Sequence, residues 1–390
     1  MIQNRTERLA SGTVMLMAAA AGLCVASIYY NQPMLGILAR SFQASPGVVS
    51  LIPIATQVGY AAGLLLLSPL GDRYERRSLI VWTTVALALA LAVAGFAPGV
   101  GVLVAASLAV GALATVAQQV VPMAAQLAAD SEKGRVVGLV MAGLLAGILL
   151  SRTVSGVISQ YGSWRAMFEA ASLATLALAG ILAVRLPKST PVTVLTYPQL
   201  LLSLGALVRR HGLLSRSGLV QGLLFAGFVS FWANLAFFLE QPPFSMGSSV
   251  AGALGVVGIV GVMAAPLAGR LADKGGNRRI ILLGAAAVGL SFAVFWLGRE
   301  SMPALIAGIV LMDAGLQAAM VSNQARVYAL DASARSRLNT VYMTMMFTGG
   351  AIGTAIGAHA FTLYGWGGVC AFGVACSVLG MALEFFSPAA

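Results

Sequence analysis

Ser68-Pro69-Leu70-Gly71-Asp72-Arg73-Tyr74-Glu75-Arg76-Arg77 is answered later in the chain by Gly269-Arg270-Leu271-Ala272-Asp273-Lys274-Gly275-Gly276-Asn277-Arg278-Arg279. Each stretch is a charged island between long apolar runs. Only 9% of the 390 residues are charged and 59% are hydrophobic, with a mean hydropathy of +0.91. A soluble domain does not have this composition. Apolar runs recur that are long enough to cross a hydrocarbon core of roughly 30 Å. Backbone polar groups in lipid must be satisfied within each span, and no ten-residue alternation of a barrel strand is present, so the spans are helices.

Working outward from the islands, twelve spans are expected at 12–38, 46–68, 79–97, 100–127, 136–158, 166–185, 216–240, 249–268, 279–298, 303–328, 338–361 and 367–386. With the N-terminus in the cytoplasm, Arg40, Arg165 and Arg299 fall outside, Arg152 falls within a span, and the other Lys and Arg of the 23 are cytoplasmic. The net charge of +11 therefore reads as positive-inside topology rather than attraction to nucleic acid. Arg5 and Arg8 precede an apolar run too long for a cleaved signal peptide, so an uncleaved first helix is expected. The three cysteines, Cys24, Cys370 and Cys376, lie in apolar runs and read as core residues.

The islands are not the only repeat. Ser27 and Asn31 match Ser230 and Asn234. Gly147, Ser151 and Ser155 match Gly349, Gly353 and Gly357, and Asp130 matches Asp331, all at nearly one offset. The expected organisation is an all-α membrane protein of two pseudo-symmetric six-helix bundles, 1–185 and 216–390. A binding site between them near the midplane is expected. The connection 186–215 holds Pro187, Pro191 and Pro198 and then a Leu-rich stretch ending at Arg209-Arg210. It reads as a cytoplasmic linker with an amphipathic helix, or as a plain tether.

The second island, Gly-x-Leu-Ala-Asp-Lys-x-Gly-x-Arg, resembles the signature of the major facilitator superfamily. That signature sits between helices 2 and 3 and again between helices 8 and 9, where both copies fall. The first copy has Ser68 and Glu75 where glycines are usual, and the second has Asn277 where a basic residue is usual. The carboxylates and cations of such islands, Asp72, Arg73, Arg76, Arg77, Asp273, Lys274 and Arg278, can latch one of two arrangements of the halves, or can serve topology alone. Gly138-x8-Gly147-x3-Ser151-Arg152-x2-Ser155-Gly156 resembles the helix-5 pattern of the superfamily's proton-coupled exporters, with Arg152 in place of the proline. Gly147, Ser151, Gly156, Gly349, Gly353 and Gly357 are expected to bring helices into close contact. Tyr-Asn-Gln-Pro at 30–33 and Arg337-Leu338-Asn339-Thr340-Val341-Tyr342-Met343 resemble a bacterial exporter subgroup. Helix 4 lacks the arginine that many of the superfamily's proton-coupled exporters carry; Gln118 and Gln119 are its only polar groups of size.

Arg152 lies ~24 Å along helix 5, where a charge is costly unless it is paired or hydrated. It faces a cavity or pairs with Glu169. Tyr29, Tyr30, Asn31 and Gln32, just before the helix-bending Pro33, are expected to line the cavity or to bond between helices. Gln57, Trp232, Asn234, Gln317, Tyr342, Met346 and Phe347 complete the expected lining. Asp313, about 15 Å into helix 10, is the one acid near the bilayer centre. It is either the proton-coupling group or a structural partner of Gln317 or of a neighbouring helix. No metal-ligand spacing, nucleophile–base set or phosphate-binding loop is found, so neither an enzyme nor a cofactor is expected.

These readings describe a monomeric secondary transporter of the bacterial inner membrane with both termini cytoplasmic. It would move a small, partly hydrophobic solute by alternating access. The resemblance implies drug or metabolite export coupled to proton influx. A sugar or metabolite permease, working in uptake or export, is the alternative. A non-transporting sensor or scaffold is a third reading, and duplicated latches speak against it.

Overall fold

The protein is described by a computed structural model covering residues 9–129, 131–189, 193, 195–262, 276–331 and 334–386. Its helices run in chain order. The first six crossings are α1 (Ser11–Ala26) continued by α2 (Leu35–Phe42), α3 (Pro46–Val49) with α4 (Leu51–Leu67), α6 (Arg76–Gly95), α7 (Val100–Leu113) with α8 (Val116–Leu127), α9 (Lys133–Tyr161) and α10 (Trp164–Arg185). The short α5 (Leu70–Arg73) carries the first island, and α11 (Tyr197–Arg210) lies in the connection. The second six crossings are α12 (Gly212–Leu239), α13 (Ser248–Val262), α14 (Asn277–Leu297), α15 (Met302–Tyr328) and the two that make up α16 (Arg335–Phe385). Gly365, at φ 59°, turns the chain between the last two, a conformation that side chains with a Cβ rarely adopt. Nine helices among the described residues are long and apolar enough to cross a membrane.

The first crossing is not one helix. Its regular ladder stops at Ala26, residues 27–31 form turns, and Gln32–Met34 is a 3-10 segment. Pro33 has no N–H to give the ladder, and at the end of α1 Ser27 Oγ donates to the Cys24 carbonyl at 2.6 Å. The break lifts Tyr29, Asn31 and Gln32 out of helical register, which positions them for the site described below.

The two repeats pack in the same way. A Cβ on Gly147 of α9 would collide with the backbone of Gly22 on α1, and a Cβ on Gly349 of α16 would collide with the backbone of Gly222 on α12. Gly353 and Gly357 continue that seam against Ala226 and Ser230. Between the repeats, α9 meets α13, where Gly156 lies against Ser248 and Gly252, and α4 meets α16.

The first island is bonded mainly to itself and to the connection. Arg76 pairs with Asp72 at 2.8 Å, and its Nε donates to the Gly71 carbonyl. Arg73 donates to the Leu195 carbonyl, the Thr193 N–H donates to the Asp72 carbonyl, and Arg77 donates to the Ala183 carbonyl. Glu75 caps α6. Burial disfavours its charge, but hydrogen bonds from Ser189, Ser78 and Arg77 outweigh that and hold its carboxyl below the usual range. Of the second island, 263–275 with Asp273 and Lys274 lies outside the described residues, while Arg278 donates to the Phe385 carbonyl.

The plain-tether reading of the connection gives way to a helix. Thr196 and Gln199 form a capping box, and Leu200, Leu204 and Leu207 share one buried face, of which Leu204 and Leu207 join the cluster of Leu214, Leu338 and Tyr342.

At the end opposite the island, Arg40 pairs with Glu240 at 2.7 Å, joining the first repeat to the second. Gly36, one turn before Arg40, leaves the space the Glu240 carboxylate occupies. Arg40 is 64% exposed, so the pair is worth ~1 kcal/mol or less. A double-mutant cycle of Arg40→Ala and Glu240→Ala in thermal unfolding should give a small positive coupling. A coupling of zero would show that the pair does not hold this end together.

Candidate functional site

The site is built from the broken first crossing, α9, α12, α13 and α15. Arg152 is 2% exposed. Its stem packs against Gly255 of α13 and its Nε donates to Gln32 Oε1 at 2.8 Å. The guanidinium carbon lies 4.7 Å from the Tyr29 ring centroid, 4.3 Å from that of Trp232 and 5.9 Å from that of Phe228. These are cation–π distances, stronger out of water. Arg152 Nη2 is buried with no hydrogen-bond partner.

Asp313 is also buried, and its Oδ2 has no hydrogen-bond partner. Its carboxylate faces Gly258, one turn along α13 from Gly255, and lies beside Leu149 of α9. It is within electrostatic reach of Arg152 without forming one of the direct ion pairs described for this structure. The carboxyl and the guanidinium therefore share one site without touching.

Other polar groups gather from α4 and α12. Asn31 Nδ2 donates to Thr56 Oγ1 at 3.0 Å, while Asn31 Oδ1 and Gln57 Oε1, on the residue after Thr56, are buried and unpartnered. Trp232 Nε1 is buried and unpartnered as well. Asn234 Nδ2 donates to the Ser230 carbonyl of its own helix. The aromatic floor continues through Phe225 and Phe347 to Tyr60, with Phe347 4.3 Å from Tyr60 and 5.0 Å from Phe225.

The residues named from the sequence do not all meet in this place. Arg152 does not turn to Glu169, whose side chain packs against Gly95 instead. The hydrogen bond between Asp313 and Gln317 is not among those of the structure, which leaves Asp313 Oδ2 open. Tyr342 stands apart: it lies in the separate apolar cluster with Leu204 and Leu214, and its hydroxyl donates to the Met320 carbonyl. Tyr30 and Met346 are buried in the main core, and Gln317 is half-buried. Thr56 and Phe228 were missed. Phe228 lies one helical turn from Trp232, and Thr56 adjoins Gln57, so both were within reach of residues that were named.

A second buried charge cluster was also missed. Arg326 grips Glu384 through both nitrogens at 2.7 and 2.9 Å and reaches Ser217 and Asn323, and Arg216 lies 3.7 Å from the same carboxylate. It ties α12, α15 and the end of α16. Between the repeats, Asn339 bridges toward Gln118 at 3.4 Å.

An open groove of about 750 Å³ lies between Ala10–Leu16 and Gly180–Arg185. Its lining includes neither Arg152 nor Asp313, both of which are buried.

Truncating Arg152 to Ala should impair transport far more than Glu169→Ala. Equal losses of thermal stability with transport retained in both would assign Arg152 to packing.

A closed polar site between two six-helix repeats is the arrangement of a membrane carrier. The chain belongs to the Major Facilitator Superfamily, whose profile it matches over residues 17–298 and 244–389. It is 40% identical over 375 residues to the "Uncharacterized transporter YgaY" of Escherichia coli O157:H7, covering 96% of this chain and 95% of that one. It is 35% identical to the "Probable transporter SCO4007" of Streptomyces coelicolor, covering 96% and 87%. Among solved structures, a point mutant of the nucleoside transporter NupG matches with a TM-score of 0.77 at 12% identity, over 96% of this chain and 100% of that one. A bacterial homolog of the human lysosomal transporter Spinster, inward-facing and occupied, matches with a TM-score of 0.73 at 13% identity, over 97% and 99%. At these identities the structural likeness establishes the fold. The protein is a multi-pass membrane transporter of this superfamily.

Proposed function

We propose that the protein is a proton-coupled secondary transporter of the bacterial inner membrane, with the island end and both termini cytoplasmic. It moves a small, partly hydrophobic solute through the site between the repeats. The observation that carries this reading is Asp313, a buried carboxylate with one oxygen unpartnered at the junction of α9, α13 and α15. An acid so placed can exchange a proton as the halves part, because its access to water and its distance from Arg152 both change with the arrangement of the repeats.

In this reading Arg152, Gln32, Tyr29 and Trp232 hold the solute, with Asn31, Gln57 and Phe347 completing the wall. The glycine seams keep each repeat rigid as it rocks. Asp72 with Arg73, Arg76 and Arg77 fixes the island end to the connection, and the Arg40–Glu240 pair holds the opposite end shut. The polypeptide works as a monomer, without cofactor or metal.

The likeness to the exporter group favours export against proton influx. A permease that carries solute and proton together is the second reading, favoured by the attraction between Arg152 and Asp313. Protonating Asp313 would release Arg152 to take a solute. Growth inhibition across a panel of compounds, with and without overexpression and with and without a protonophore, tests the proposal. Protonophore-sensitive protection supports export, and protonophore-sensitive sensitisation supports uptake. An unchanged pattern across the panel counts against transport of these solutes by the protein.

A further inference from the structure

The unpartnered polar groups of the site are not alike. Arg152 Nη2 and Trp232 Nε1 can only donate, and the guanidinium lies 4.3 Å from the indole ring, so the two donors belong to one wall. Asn31 Oδ1 and Gln57 Oε1 accept and belong to another, on the broken first crossing and α4. The Arg152 Nε–Gln32 bond and the flanking Tyr29 and Trp232 rings hold the guanidinium fork in a fixed plane.

A cationic solute would meet this wall badly. The ring faces that could receive it are already occupied by Arg152, and Arg152 itself would repel it. An anion would meet two buried donors, one of them charged, in a setting from which water is excluded. With Asp313 protonated, Arg152 carries one uncompensated positive charge, which suits a solute carrying a single negative charge.

We propose that the solute is an organic monoanion, a carboxylate on an apolar or aromatic body, read by Arg152 Nη2 with Trp232 Nε1. The accepting wall at Asn31 and Gln57 takes a hydroxyl or amide N–H on the same molecule. The inference rests on the transporter reading in its second form, solute and proton carried together, and it adds the class of cargo. With such a cargo the proton on Asp313 and the solute are bound by the same state.

The test is equilibrium binding to the purified full chain in detergent, followed by tryptophan fluorescence and by thermal shift. Aromatic carboxylates from benzoate to indole-3-acetate are compared with their amides and the corresponding amines. The carboxylates should bind at least about 10-fold more tightly than the amides, the worth of one charge-assisted hydrogen bond, and the amines least. Arg152→Gln should remove the preference for carboxylate over amide. Arg152→Lys, which keeps the charge and loses the fork, should retain part of it, and it serves if Arg152→Gln does not fold. Amines or amides bound as tightly as carboxylates would overturn the proposal. So would a preference that survives in Arg152→Gln, or the failure of every carboxylate to bind. Transport of an amine by cells, with no carboxylate bound, would sink the anion inference and leave the transporter reading standing. Carboxylates that bind but are never moved would do the reverse.

Discussion

Asp313→Asn is expected to abolish the dependence of transport on a pH gradient while the protein still folds and binds its solute. Asn preserves the volume of the side chain against Gly258 and Leu149, so the packing of α9, α13 and α15 survives. It cannot take up and release a proton near neutral pH. Proteoliposomes with an imposed gradient should show gradient-driven flux falling at least about 10-fold, with counterflow driven by solute alone retained, because only the ionisable step has been removed. Gradient-driven flux equal to that of the native chain would remove Asp313 from the coupling mechanism. Loss of counterflow together with gradient-driven flux would instead make Asp313 a binding group.

Gly147→Leu is expected to have the largest effect on stability. A Cβ there meets the Gly22 backbone, including its carbonyl oxygen, and backbone cannot swing aside as a long side chain can. The two helices must separate, and overpacking of this kind costs about 1–3 kcal/mol, more when the obstacle is main chain. Gly349→Leu should do the same in the second repeat, against Gly222. The control is Gly138→Leu, on the same helix, where nothing lies within 4 Å of an added Cβ. Thermal unfolding in detergent should show a clear fall in Tm for the first two and little change for the third. A Gly147→Leu protein as stable as Gly138→Leu would mean that the seam does not hold the repeat together.

The contrast between Gly147 and Gly138 marks how far the sequence can be read. Both belong to one pattern, but only Gly147 stands in the run of small residues every fourth position that predicts close helix contact. In the fold Gly143 and Gly147 face α1, while α9 presents Gly138 to open space. Gly156, on the same helix, closes against Ser248 and Gly252 of the other repeat. A spacing rule gives the face of a helix but not its neighbour.

The same limit applies to charge. A lone arginine in a span announces that something must satisfy it. Depth made Glu169 a plausible partner, but depth is one coordinate and the azimuth around the bundle is another. Arg152 points inward to Gln32, Tyr29 and Trp232, while Glu169 sits against Gly95 in the first repeat's own wall. The Arg326–Glu384 pair escaped notice for a related reason. Its members are 58 residues apart and meet only because α15 and the end of α16 are brought side by side.

The amino-acid sequence alone determined the class of this protein: a duplicated array of twelve helices with charged islands at one end. Apolar length, the repeat at nearly one offset and the distribution of Lys and Arg are local or one-dimensional quantities, and lipid leaves the backbone no alternative to helix. Tertiary structure decided which side chains share the space between the repeats. Arg152 and Asp313 lie on helices from different repeats, and they come within electrostatic reach because α13, through Gly255 and Gly258, offers both a wall without side chains. That proximity depends on the packing of several helices at once, which no stretch of one helix encodes.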